Sequence, residues 1–259
     1  MFSVQHFIWL LLCAVIIVGT CLLLKKYKPS LTKVLIGCFC VAAASQLFII
    51  LSEIELVPSQ DGEKLRLFLP YSSLPLHMCS IQIFLIGIAI FLKNQSIKET
   101  LLAFMYATGA GGAFMAIIVA TIFNSVTPEK SFTYPRAYEY FLYHSMLIIM
   151  GAYICMSGEV KFRPKHMLTT FLGLLGLAWS SIHMNSILSV PHYENGNLIS
   201  VDYNTNFFFT FEPPIDIALT EKWHWYIYLL ILLGLVLVFE AILFIPHILI
   251  QKRKEKSLN

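Results

Sequence analysis

The amino-acid sequence predicts an all-α membrane bundle of seven transmembrane helices, N-terminus outside and C-terminus cytoplasmic. Three observations lead there. Of 259 residues, 58% are hydrophobic and only 13% charged, with a mean hydropathy of +0.73, whereas a soluble domain carries about 25% charged residues. The apolar residues gather into seven runs, each close to the roughly 17–25 residues that cross a hydrocarbon core. Finally, all but five of the 18 Lys and Arg lie on alternate connections, and that bias sets orientation by the positive-inside rule. The whole of residues 1–259 reads as a single integral membrane domain.

The first run, Phe7–Leu24, is followed by cations instead of being preceded by them. Met1–His6 holds no Lys or Arg, the charge order of an N-out anchor and not of a cleaved signal. Lys25, Lys26, Lys28 and Lys33 fill the next loop. The second run is Val34–Leu51, and the third, Leu76–Leu92, follows Pro75, a residue tolerated in a first helical turn. Lys93 and Lys98 close it. The fourth, Leu101–Phe123, carries Ala103, Ala107 and Gly111 every four residues, flanked by Gly109 and Gly112. Small residues at that interval let membrane helices approach closely.

The fifth run, Tyr140–Met156, leads to Lys161, Arg163 and Lys165, and the sixth is Met167–Leu188. The seventh, Trp223–Ile250, ends on Lys252, Arg253, Lys254 and Lys256, a stop signal drawn to anionic lipid. The exceptions are Lys64, Arg66, Lys130, Arg136 and Lys222. Eleven of the 15 acidic residues lie on the opposite side: Glu53, Glu55, Asp61, Glu63, Glu129, Glu139, Glu194, Asp202, Glu212, Asp216 and Glu221. The connections there (52–75, 124–139 and 189–222) are the long ones and read as loops. Trp9, Trp223 and Trp225 fall at that interface, as an aromatic belt does.

Internal repeats, Gly-rich phosphate loops, cofactor motifs and zinc-ligand spacings are all missing from the sequence. No cofactor, no metal and no nucleic-acid partner is expected. Cys13, Cys21, Cys38, Cys40 and Cys155 sit inside apolar runs, where a thiol is usually a small packing group. Cys38 and Cys40 point to different helix faces. His6, His166, His192 and His247 read as side chains bonded to their neighbours.

Polar groups inside the spans gather in the outer half instead of running through the full depth. The third run opens with His77, Cys79 and Gln82; the fifth holds His144 and Ser145; the sixth ends with His183 and Asn185. Such groups are costly in a bilayer and mark function by default. Cys79 lies near a helix N-terminus, where thiolate is favoured. At about 1.5 Å per residue, His144 lies at comparable depth and is the better base, since His77 points to another face. A Cys–His pair is a workable nucleophile, and Gln82, one turn below, is placed to donate to an oxyanion. Two other readings stand beside this one: a transporter of a small cation, proton or metal, and a lipid-binding protein without catalysis.

Four segments resemble the YwaF family of bacterial multi-pass proteins, related to a mammalian ether-phospholipid acyltransferase. They are Leu-Pro-Leu-His77-Met-Cys79; Tyr-Phe-Leu-Tyr-His144-Ser145; Asn204-Thr-Asn206-Phe-Phe before Glu212-Pro213-Pro214; and Lys222-Trp-His-Trp-Tyr-Ile227. The resemblance spans about residues 70 to 250. It implies acyl transfer between glycerophospholipids without coenzyme A, in a bacterial plasma membrane. By position it makes Cys79 the nucleophile, His144 its base and His77 a supporting group. Asn206 matches a family asparagine, although Asn204-Thr205 stands where Gly-Thr is usual and Phe207 where Tyr is common. Candidate substrate contacts are then Gln82, Ser145, Asn185, Asn206 and Trp223, and the expected partner is a phospholipid or lysophospholipid, with water as an alternative acceptor.

Overall fold

The structure, a computed structural model, describes residues 2–59, 64–194, 196–213 and 221–256. Asp61, Glu63, Pro214 and Asp216 lie outside the described residues, as do the side chains of Lys254 and Lys256. In chain order the helices are α1 (Val4–Tyr27), α2 (Leu31–Glu53), α3 (Met78–Phe91), α4 (Gln95–Ile118), α5 (Pro135–Ser157), α6 (Pro164–Ile187) and α7 (Lys222–Lys256). Six are long and apolar enough to cross a membrane; α3 is the exception. Leucines, valines and isoleucines of α1, α2 and α7 stay exposed along their length, as a lipid-facing surface requires.

α3 departs from the expected third span. Its 14 residues give about 21 Å at 1.5 Å per residue, short of the roughly 30 Å hydrocarbon core. The chain before it runs through a 3-10 turn at Tyr71–Ser73 and stays non-helical through His77. Met78 then lies beside Gly112, its sulfur 3.2 Å from where a Cβ on that glycine would stand. α3 therefore begins well down the side of α4. Non-helical backbone survives at such depth only when protein satisfies it. Here Gln46 of α2 donates to the Ser73 carbonyl at 3.0 Å, and the Ser73 hydroxyl donates to Glu53 at 2.5 Å.

Several helices overrun their apolar runs, and polar side chains cap α1 and α4. Ser3 accepts from His6 N–H and Asn94 from Ile97 N–H. Pro135 and Pro164 open α5 and α6, where a missing N–H costs nothing. Gly158 ends α5 at φ 73°, a left-handed position that suits glycine. Two of the long connections hold hairpins instead of plain loops: β1 (Glu55–Pro58) pairs antiparallel with β2 (Leu65–Phe68), and β3 (Val190–Glu194) with β4 (Asn197–Asp202).

The core forms where α4 loosens into a π-helical turn at Tyr106–Gly111. Extra residues in a turn of this kind bulge the backbone, often at functional positions. Its small residues admit three neighbours. A Cβ on Gly151 of α5 would meet Ala110 Cβ at 2.4 Å, one on Gly111 would meet the Phe239 ring of α7 at 2.5 Å, and Gly109 lies under the Gln82 amide of α3. Trp9 departs from the belt expectation. It is 3% exposed, stacked between Phe132 and Phe141, with its indole N–H donating to Ser131 at 3.0 Å; it anchors α1 to the bundle. We expect Gly151→Ala to cost about 1–3 kcal/mol through overpacking, read as a lowered thermal midpoint of the purified protein in detergent.

Candidate functional site

Cys79 is the second residue of α3, half-buried against the main core. His77 precedes the helix as its cap but makes no side-chain cap bond. The backbone N–H groups of Met78, Cys79 and Ser80 are thus those that a helix start leaves without an intrahelical acceptor. The Cys79 carbonyl accepts from the Tyr143 hydroxyl of α5 at 2.8 Å.

His144 lies next along α5 and is buried. Its Nδ1 is 2.6 Å from the Tyr140 carbonyl. A carbonyl only accepts, so Nδ1 carries the hydrogen and Nε2 keeps its lone pair, the tautomer a general base needs. The imidazole is flanked by the Tyr140 ring at 4.3 Å and the Tyr143 ring at 5.7 Å. Tyr143 thus touches Cys79 through its hydroxyl and His144 through its ring. Among the described residues, no hydrogen bond joins the Cys79 sulfur to His144.

The remaining sequence candidates divide into several roles. Gln82 is fully buried; its amide donates to Thr108 Oγ1 at 3.0 Å and to the Met78 carbonyl at 3.4 Å. Both amide hydrogens are engaged, which leaves Gln82 none to give an oxyanion. Ser145 is buried one turn beyond Phe141, whose carbonyl Cys13 of α1 approaches at 3.9 Å. It belongs to the α1 contact and not to the face that Cys79 shares with Tyr143.

Asn185 is a clasp. Its amide donates to the Phe207 carbonyl (3.1 Å) and Thr210 Oγ1 (3.0 Å), and its oxygen accepts from Thr205 (3.0 Å) and Phe207 N–H (2.9 Å). The clasped loop sets the Phe207 ring against His77 at 4.9 Å. Asn206 folds the same loop back, accepting from the N–H groups of Phe211 and Glu212. Both asparagines therefore act on loop shape, because every polar atom they offer meets backbone or a neighbouring hydroxyl. Trp223 is 54% exposed and donates to Glu221 at 2.7 Å, away from these contacts.

Sequence reasoning passed over Tyr140 and Tyr143, and also an ionic lattice beside them. Arg136 pairs with Glu139 one turn along α5 and lies 3.6 Å from Glu53 of α2; Ser45 donates to Glu139. The Arg136-x-x-Glu139 spacing just after Pro135 was the available signal, since residues three apart share a helix face. Next to this lattice, Val41, Ala44, Ser45, Phe48, Glu139, Leu142 and Tyr143 line a groove of about 250 Å³ between α2 and α5.

Residues 1–242 match the TMEM164 family. The chain belongs to that family. The match includes α1 and α2, beyond the stretch from about residue 70 where the four sequence segments lie. With six helices of spanning length, this member of the TMEM164 family is a multi-pass membrane protein. No curated protein and no solved structure matches it. In this TMEM164-family chain, Asn185→Ala would strand several buried partners in the 205–210 loop, each costing about 1–3 kcal/mol. Faster proteolysis at that loop and a lowered melting midpoint are the expected readouts.

Proposed function

We propose that the protein transfers acyl groups between glycerophospholipids through a Cys79 thioester, with His144 as base. The observation that carries this reading is Tyr143, which contacts both segments and also lines the lipid-side groove between α2 and α5. An acyl chain lying in that groove has its ester end at the Tyr143 wall, beside the residue that contacts both Cys79 and His144. Nε2 takes the thiol proton and sulfur attacks the ester carbonyl. The oxyanion turns to the free N–H groups at the start of α3, and the departing lysolipid takes the proton. A second lysolipid, or water, then resolves the thioester. The sulfur–imidazole contact forms with substrate bound, as catalytic hydrogen bonds commonly tighten on binding.

The same proposal has seven crossings, N-out and C-in, with α3 completed by its non-helical lead, and puts the groove toward the outer leaflet of a bacterial plasma membrane. Supporting it are Lys25, Lys26, Lys93, Lys98, Lys161, Arg163 and Lys165, which belong to the connections at one end. Kinship with the YwaF proteins rests on the His77-Met-Cys79 and Tyr143-His144 segments.

A second reading, ion or proton transport, is favoured by Glu240 of α7. It is 2% exposed, with both carboxyl oxygens lacking a hydrogen-bond partner. Purified protein in liposomes, given a labelled phospholipid donor and a lysolipid acceptor, separates the two. Cys79→Ala should abolish transfer and His144→Ala lower it by about 10²–10⁴-fold. Wild-type rates in Cys79→Ala overturn the nucleophile assignment, and His144-dependent flux without acyl transfer favours transport.

A further inference from the structure

At the opposite end of the bundle a second thiol meets an imidazole. Cys155, near the end of α5, has its sulfur 3.8 Å from His247 Nε2 of α7. The Tyr106 hydroxyl lies 3.2 Å from the same nitrogen and 3.4 Å from the Leu243 carbonyl. The phenol donates its one hydrogen to the Leu243 carbonyl, and the Cys155 sulfur and the phenol oxygen both lie within reach of Nε2. The ring is held edge-on by Tyr106 at 5.5 Å and tilted against Phe162 at 4.9 Å. Its neighbour Pro246 lies inside α7 and has no N–H to give the preceding turn, which loosens the helix where Tyr106 reaches in.

The pair opens on a cavity of about 350 Å³ whose lining includes Cys155, His247, Val160, Phe162, Lys161 and Ile250. That lining is divided by chemistry. Val160 and Phe162 are buried in the core, Ile250 is exposed on the face of α7, and Lys161 is an exposed cation. An apolar wall, a thiol beside an imidazole and a cation suit an electrophile that is an acyl ester or thioester with a phosphate-bearing head. Bound there, such a ligand would set its phosphate on Lys161 as a point charge, its chain beside Ile250 and its carbonyl at Cys155. The sequence reading of Cys155 as packing filler omits this because its partner lies on another helix.

We infer that Cys155 is a second acyl-accepting thiol, activated by His247, at the basic end of the bundle. His247 Nε2 takes the Cys155 proton, and sulfur forms a bond to the carbonyl carbon. The ester C–O or thioester C–S bond breaks, and the departing alkoxide or thiolate takes the proton from His247. The products are a Cys155 thioester and a free alcohol or thiol. This inference is independent of the Cys79 reading.

The test uses the full chain in nanodiscs with two probes in separate arms: hexadecynoyl-coenzyme A, and phosphatidic acid bearing the same alkyne chain. Label released by neutral hydroxylamine and mapped to the Cys155 peptide by mass spectrometry is the expected result, and the arm that labels faster names the source. Cys155→Ser should remove that label, whereas Cys79→Ala keeps it. His247→Ala should slow labelling by about 100-fold or more. Because His247→Ala disturbs packing, Lys161→Ala, at an exposed position, gives a second readout: a raised half-saturating concentration of the phosphate-bearing probe with little change in the maximal labelling rate. Absence of Cys155 label in both arms overturns the proposal. So does labelling that is indifferent to His247 and to Lys161.

Discussion

The π-helical turn of α4 is the constraint on which the rest of the bundle depends. Lipid tails are as apolar as leucine, so membrane helices gain little by hiding apolar surface from one another and must gain by close packing instead. Gly109, Ala110 and Gly111 supply that closeness to α3, α5 and α7 in turn. The same turn sends two polar side chains in different directions. Thr108 meets Gln82 on the α3 side, and Tyr106 meets His247 on the α7 side. Both thiols lie close to residues that this one irregular turn contacts.

Around that hinge, polar side chains do the work that water would do in a soluble protein. The non-helical lead into α3 is met by Gln46 and Glu53, and the loop after β4 by Asn185 and Asn206. The Tyr153 hydroxyl closes the turn between α1 and α2 by donating to the Pro29 carbonyl. All but the Ser73–Glu53 pairing, which joins two side chains, satisfy a backbone group that would otherwise be costly to bury. These partners fix the irregular segments against the helices, and the start of α3 is held in the bundle for the same reason.

The two thiols contrast in a way that follows from helix position. Cys79 stands at the first turn of α3, where backbone N–H groups lack an intrahelical acceptor, and the His144 imidazole is bonded through Nδ1 to its own helix. Cys155 stands near the last turn of α5, with an imidazole from another helix within reach of its sulfur. In the proposed chemistry the first thiol draws its oxyanion donors from its own helix start and its base from α5, whereas the second draws its base from α7.

Hydropathy determined the membrane character of this chain and the rough course of its long helices, because long apolar runs have no other stable home. Spacing alone also made the small-residue face of α4 and the opposed faces of Cys38 and Cys40 readable, since a helix repeats every 3.6 residues. Contacts between distant segments were not readable. The placement of Trp9 between two phenylalanines, the recruitment of Tyr143 to Cys79, the Asn185 clasp and the Cys155–His247 pair each join residues far apart in sequence. Local periodicity says which face a residue occupies, but only the packing of whole helices says which residue it faces. The shortness of α3 was hidden for a related reason. Hydropathy measures where a chain is content to be buried, and Leu74-Pro75-Leu76 is as apolar as the helix it precedes, so the helix boundary was decided by the tertiary partners of Ser73 and Met78.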